Sequence, residues 1–190
     1  MAESESLLEV AERVTELLAS RGIDAILIGA AAMAAHGYVR FTQDVDLAVK
    51  VHLEELRRAA DDLQAAGFDV TLREPDGADP LGGVIDVSGS FGMVQIVNFG
   101  DRFPAVIEAG LAEATLLVRV GSQLRIMPLP QLIALKLYAG GRKSQADVVE
   151  LLARNPDADF ERIRKVCDGY RLPGFQTLLR EAMGGADAEP

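Results

Sequence analysis

The chain has 190 residues, 49% of them hydrophobic, and a formal net charge of −10. That length and apolar content suit one domain with a real core, or a small domain with a helical extension, and exclude wholesale disorder. The acidic balance argues against broad nucleic-acid binding, which draws on many Lys and Arg contacts to phosphate, and one cysteine with two histidines cannot supply an intramolecular disulfide or a zinc cluster.

Ser6 with Glu9 three residues on reads as a capping box, and Leu7, Ala11, Val14 and Leu18 recur at helical spacing until Gly22, predicting a helix over 5–20. The apolar run 25–28 predicts a first strand ending at Gly29, and the small residues up to Gly37 predict a short helix with His36 at its end. There a hydrogen-bonded structural histidine is the ordinary reading. A loop over 38–43 leads into a second strand, 44–49, and Leu53, Leu56, Ala60 and Leu63 space a helix closed at Gly67. Three strand-like runs follow at 68–73, 83–88 and 93–99, with a loop over 74–81 between the first two. Helix formers resume at 104–109, and a hairpin is expected over 116–127 around Gly121 and Ser122. From Pro130 the pattern is helical: a first helix to Gly140, then 144–153, 159–167 and 175–183.

This order predicts an α+β fold with mixed strand directions: a core over 1–127, a helical segment over 128–183 packed on it, and a frayed tail over 184–190. Residues 140–180 carry eight basic against six acidic residues, so an anionic substrate would be met by the C-terminal third unless these are solvated helix faces. The first 20 residues are acidic and amphipathic, unlike a signal peptide, and no run of 18 apolar residues occurs, so a cytoplasmic location is expected.

The chemistry concentrates at Asp44 and Asp46. Residues two apart in a strand share a face, so both carboxylates project with Ala48 while Val45, Leu47 and Val49 point the other way. Held about 7 Å apart at the backbone, such a pair repels itself and resists burial unless a cation sits between. Paired hard oxygen donors with room for water suit Mg²⁺.

The strand-end Gly29, the short helix after it, and then Arg40, Thr42, Asp44 and Asp46 resemble the signature of the DNA polymerase beta-like nucleotidyltransferase superfamily. The likeness is to its minimal bacterial branch, which includes abortive-infection toxins. Residues 132–152, with Lys136, Lys143 and Asp147, resemble the family's helical segment after the catalytic sheet. The resemblance implies a nucleotidyltransferase-like mixed sheet flanked by helices. It implies Mg²⁺ held by Asp44 and Asp46 with a third carboxylate from a neighbouring strand, and transfer of a nucleotide from a nucleoside triphosphate to a hydroxyl. Gly29, Ala30, Arg40, Thr42, Lys136 and Lys143 would surround the phosphates. RNA, a protein or a small molecule could be the acceptor, and a toxin or antitoxin partner is implied.

Two departures stand out. Ala30 replaces the family's usual second glycine or serine and loses a hydroxyl for phosphate. Gln95 stands where the third aspartate would be: its amide oxygen can complete a Mg²⁺ shell, but it carries no charge and accepts no proton from a hydroxyl. Asp86, on the preceding strand, is the alternative third ligand. Arg40 either holds a phosphate or pairs with nearby carboxylates, Lys136 either faces the phosphates or snorkels to solvent, and Asp147 reads as an ordinary helix-start carboxylate. Two function classes follow: a nucleotidyltransferase, or a catalytically weakened relative that binds a nucleotide or a partner.

Overall fold

In the computed structural model, which describes residues 6–76, 82–100 and 102–184, sheet and helices alternate before the chain turns wholly helical. The N-terminal part runs α1 (Leu7–Ser20), β1 (Ile26–Ile28), α2 (Gly29–Ala35), β2 (Asp44–Val49), α3 (Leu53–Ala65), β3 (Asp69–Arg73), β4 (Val84–Gly89) and β5 (Gly92–Asn98). It continues through α4 (Pro104–Glu113), β6 (Arg125–Ile126), α5 (Leu129–Ala139), α6 (Gly141–Arg154), α7 (Phe160–Gly169) and α8 (Phe175–Ala182). Residues 77–81 of the expected loop, and 185–190 of the expected tail, lie outside the described residues.

The six strands form one mixed sheet in the order β3-β4-β5-β2-β1-β6. β2 sits inside it, antiparallel to β1 and parallel to β5, and β4 is antiparallel to both β3 and β5. Alternation decides the faces. Val45 and Leu47, with Val94 and Ile96 beside them, are buried under α1, whose Ser6–Glu9 capping box forms as the spacing predicts. The opposite face carries the polar side chains. Among the described residues no helix is long and apolar enough to cross a membrane.

The structure departs from the sequence reading in two places. The expected hairpin over 116–127 shrinks to the two-residue β6, parallel to β1, and one antiparallel bridge between Leu117 and Arg125. Leu116, Leu117 and Val120 remain exposed there, so the first arm of the expected hairpin buries little apolar surface to hold a longer ladder. The other departure is α6, which opens at Gly141 where the spacing suggested Ser144. Gly140 and Gly141 both take positive φ, 66° and 75°, and make the corner after α5. Asp147 therefore lies past the first turn of α6 and is buried, so it is not the solvated helix-start carboxylate that the sequence suggested.

One buried amide closes the end of the sheet. Asn98 is fully buried; its Oδ1 accepts from Val51 N (3.1 Å) and Gly100 N (3.0 Å), and its Nδ2 donates to the carbonyls of Val51 and Gly82, both at 3.0 Å. Asn98→Ala strands these backbone groups, and at a net ~0.5–1.5 kcal/mol per bond the loss over four bonds should be about 2–6 kcal/mol in urea denaturation.

Candidate active site

The site begins at the turn from β1 into α2. Gly29 has φ +66°, and a Cβ built on it would lie 1.8 Å from Asp46 Oδ2, so the carboxylate of Asp46 rests directly on the glycine α-carbon. No other residue leaves that space. Asp46 and Asp44 project together from β2, and Thr42 donates its hydroxyl to Asp44 Oδ1, setting that carboxylate's orientation.

Register brings a row of polar side chains across the sheet. Gln95 is the direct cross-strand partner of Asp46, and Asp86 is in turn the partner of Gln95, so Asp86, Gln95 and Asp46 share one face on three successive strands. Strands lie about 4.8 Å apart, which puts Asp86 about 10 Å from Asp46 along the backbone row. Asp86 is already engaged: Arg73 Nε and Nη2 bind its two oxygens at 2.7 and 3.1 Å, and Gln95 Nε2 donates to Oδ1 at 2.7 Å. The position next to Asp46 therefore belongs to Gln95. Burial works against ionisation of Asp86, but the hydrogen bonds from Arg73 and Gln95 and the Arg73 charge outweigh it, holding the carboxyl below its ordinary value.

Three cations face the pair. Lys136, on α5, is turned inward and ion-paired with Asp147 Oδ2 at 2.7 Å. Of the two readings left open by the sequence, this excludes a lysine that snorkels to solvent. Arg40 Nη2 approaches the same Asp147 oxygen at 4.0 Å, while Arg40 Nε is buried with no hydrogen-bond partner among the described residues. Lys143 lines a polar cavity of about 480 Å³ together with Ala30, Arg40, Thr42, Asp44 and Asp46. An adjoining cavity of about 540 Å³ is mainly apolar, walled by Ile28, Phe99, Leu132, Leu135 and Tyr138, and it reaches Gly29 and Lys136. Of the other basic residues in the C-terminal third, Arg154, Arg162, Arg164 and Lys165 are occupied in ion pairs with nearby carboxylates. Lys143 is the member of that group that reaches the polar cavity.

Burial, and next the charge of Asp44, push the Asp46 carboxyl above its ordinary value, and Lys136, Arg40 and Lys143 offset this only in part. Two carboxylates with an amide in the same row are hard oxygen donors, and they fit Mg²⁺, which is commonly held by one or two carboxylates plus water and substrate phosphates. Among the described residues no three His, Cys, Asp or Glu side chains cluster closely enough to hold a metal, because the third place in the row is a glutamine. Sequence reasoning passed over Asp147 as a site residue. Its signal was present, a carboxylate eleven positions after a lysine in an apolar helix, but only the glycine corner brings the two together. His36, as expected, is structural: its Nε2 is 2.8 Å from the Met127 carbonyl, and Asn155 donates to its own carbonyl.

No protein-family model matches this sequence, and no curated protein does. Solved structures do match. An antigenic nucleotidyltransferase-like protein from Paracoccidioides brasiliensis superposes with a TM-score of 0.55 at 18% identity, over 93% of each chain. The antibiotic-resistance factor ANT(2'')-Ia in solution gives 0.53 at 15% identity, over 95% of this chain and all of that one. The same factor in complex with adenylyl-2''-tobramycin gives 0.50 at 15%, over 93% of this chain and 96% of that one. The chain has the nucleotidyltransferase fold. At these identities the likeness is one of fold, and it agrees with the α+β, mixed-sheet architecture that the motif likeness implied.

Two measurements probe the site without ligand. Gly29→Ala forces a side chain into positive φ, at about 1–3 kcal/mol before the collision with Asp46 is counted, and should lower the denaturation midpoint accordingly. For Asp46, a raised native pKa means that its stabilising contribution is complete below the unfolded-state carboxyl value and is lost as pH rises through the native one. Metal-free Asp46→Asn should therefore melt higher than the parent at pH 7, by about 2–4 °C per kcal/mol relieved, with the gain vanishing below about pH 3.9. A gain independent of pH would mean that the carboxylate is not strained.

Proposed function

We propose that this protein transfers a nucleotide from a nucleoside triphosphate to a hydroxyl acceptor in a Mg²⁺-dependent reaction. The observation that carries the reading is the Asp44–Asp46 pair, with Asp46 seated against Gly29 and faced by Arg40, Lys136 and Lys143. Bound by Asp44 and Asp46, Mg²⁺ would neutralise the triphosphate and favour ionisation of the attacking hydroxyl. The acceptor hydroxyl would give up its proton to water, its oxygen would bond to the α-phosphorus as the bond to the oxygen bridging the α- and β-phosphates breaks, and pyrophosphate would leave with that oxygen. Arg40 and Lys143 line the polar cavity where the phosphates would lie, and Arg40 Nε, without a hydrogen-bond partner among the described residues, is a donor that an anion there would satisfy. Lys136, ion-paired with Asp147, borders the apolar cavity together with Gly29 and would meet the triphosphate from there. The apolar cavity has room for the nucleobase or the body of the acceptor.

The abortive-infection branch and a toxin and antitoxin setting belong to this proposal through the motifs at 27–49 and 132–152 alone. A small-molecule acceptor is one option among RNA, protein and metabolites; the complex of ANT(2'')-Ia with adenylyl-2''-tobramycin is a case of it on this fold. One observation favours a second reading, a nucleotide-binding relative with weakened chemistry: Gln95 stands directly beside Asp46, and a glutamine takes no proton.

The test is incorporation of radiolabel from each α-labelled ribonucleoside triphosphate into cell RNA, cell protein and a panel of small hydroxyl compounds. The proposal expects label that requires Mg²⁺ and disappears in Asp46→Asn. In Lys136→Met, which keeps the apolar stem and drops the charge, calorimetry should show about tenfold weaker triphosphate binding, equal to ~1.4 kcal/mol. Triphosphate binding without transfer to any acceptor would establish the second reading instead.

A further inference from the structure

The row Asp86, Gln95, Asp46 contains an asymmetry that the pairing of motifs does not explain. A glutamine amide can turn either its oxygen or its NH₂ toward a neighbour, and near a cation the two choices are opposites: one is a ligand, the other repels. Asp86 removes the ambiguity. An ionised carboxylate only accepts, so the arm of Gln95 that meets Asp86 Oδ1 at 2.7 Å must be its NH₂. In a planar amide the oxygen then occupies the opposite arm, turned away from β4, and β2 with Asp46 is the strand on the other side of Gln95. Asp86 is itself anchored by two bonds from Arg73, and its side chain is largely shielded from solvent, 17% exposed. The chain Arg73, Asp86, Gln95 is thus a fixed sequence of donor to acceptor, then donor again, ending in an amide oxygen.

We infer that Asp86 is a positioning residue that sets Gln95 oxygen-first toward Asp46, making Gln95 a neutral third oxygen ligand for the divalent cation of the Asp44–Asp46 pair. Asp86 touches neither cation nor substrate and acts only through the amide. The inference rests on the reading of Asp44 and Asp46 as a cation pair. It explains how a chain with no carboxylate at position 95 keeps three oxygen donors there, and why the Asp86 carboxylate is retained one strand too far out to serve as a ligand itself.

Binding of Mn²⁺ alone, followed by electron paramagnetic resonance and calorimetry, tests this in the full chain. Gln95→Met removes the amide oxygen at similar size, and Asp86→Ala removes its anchor. Each should weaken Mn²⁺ by about tenfold, the lower end for losing a group that orients a metal ligand. The double variant should be no weaker than Gln95→Met. Loss of the Asp86 charge acting merely through space would instead add in full on top of Gln95→Met, and that additive result overturns the inference, as does an unchanged Mn²⁺ affinity in Asp86→Ala. Metal-free melting confirms that the variants fold, and Asp86→Leu, near in size and without an acceptor oxygen, replaces Asp86→Ala if the latter does not. In the metal-free protein the ¹⁵N side-chain NH₂ resonances of Gln95 should also shift in Asp86→Ala; resonances that stay in place refute the anchor. If the parent binds no Mn²⁺ and Asp46→Asn behaves identically, the cation pair itself fails and the inference falls with it. Mn²⁺ binding that depends on Asp46 but not on Asp86 or Gln95 overturns the inference alone.

Discussion

The contact of the Asp46 carboxylate with the α-carbon of Gly29 is the constraint on which the rest of the site depends. A carboxylate held on an inner strand, partly out of water and two residues from a second carboxylate, is costly by desolvation and by repulsion. The fold accommodates it by giving up a side chain at position 29 and by aiming positive charge at the pair from two directions. Neither could be supplied by β2 alone. The glycine comes from the turn that ends the neighbouring antiparallel strand, and the cations come from the 38–43 loop and from helices nearly a hundred residues on. The C-terminal helices are therefore part of the electrostatics of the sheet and not merely a cover for its apolar edge.

Asp147 makes that arrangement hold. It is buried in α6, ion-pairs Lys136 of α5, and lies within 4.0 Å of Arg40 from the loop before β2. Breaking a buried pair by removing one partner leaves an uncompensated charge, so each of the three residues constrains the other two. The loop before β2 and the helices α5 and α6 are thereby tied through one carboxylate oxygen, Oδ2, which both cations approach. Lys136 is aimed by this bond, which is why an apolar helix tolerates a lysine on its inward side.

The elements with strong local patterns were legible in the sequence. The capping box of α1, the alternation of β2, and the β4 and β5 runs all appear within one or two residues of where spacing put them, because those signals are local. The failures lie where tertiary context decides. The 116–127 segment has turn chemistry but a first arm that buries little apolar surface, so the hairpin signal at Gly121 and Ser122 overstated the ladder. Asp147 looked like a surface carboxylate because Ser144 resembled a helix start, whereas two glycines at positive φ start the helix three residues earlier. The partnership of Asp86 with Gln95 was invisible for another reason: register between strands is not written in either strand, and a shift of one residue would have sent Asp86 to the opposite face.

The formal charges of the assembled group bear on how a cation and an anion would come to it. Asp44, Asp46 and Asp147 contribute three negative charges, and Arg40, Lys136 and Lys143 three positive ones. An aspartate at position 95 would tip that balance negative; glutamine leaves it even. A bare divalent cation therefore gains little from the long-range field and depends on direct oxygen ligation, while a bare triphosphate is drawn by the cations but pushed back by the β2 carboxylates. In the proposed reaction the two together would satisfy both halves, the cation against Asp44 and Asp46 and the phosphates against Arg40, Lys136 and Lys143. On the proposed function, such a balanced site couples its ligands: each raises the affinity for the other by the same factor, as linkage requires.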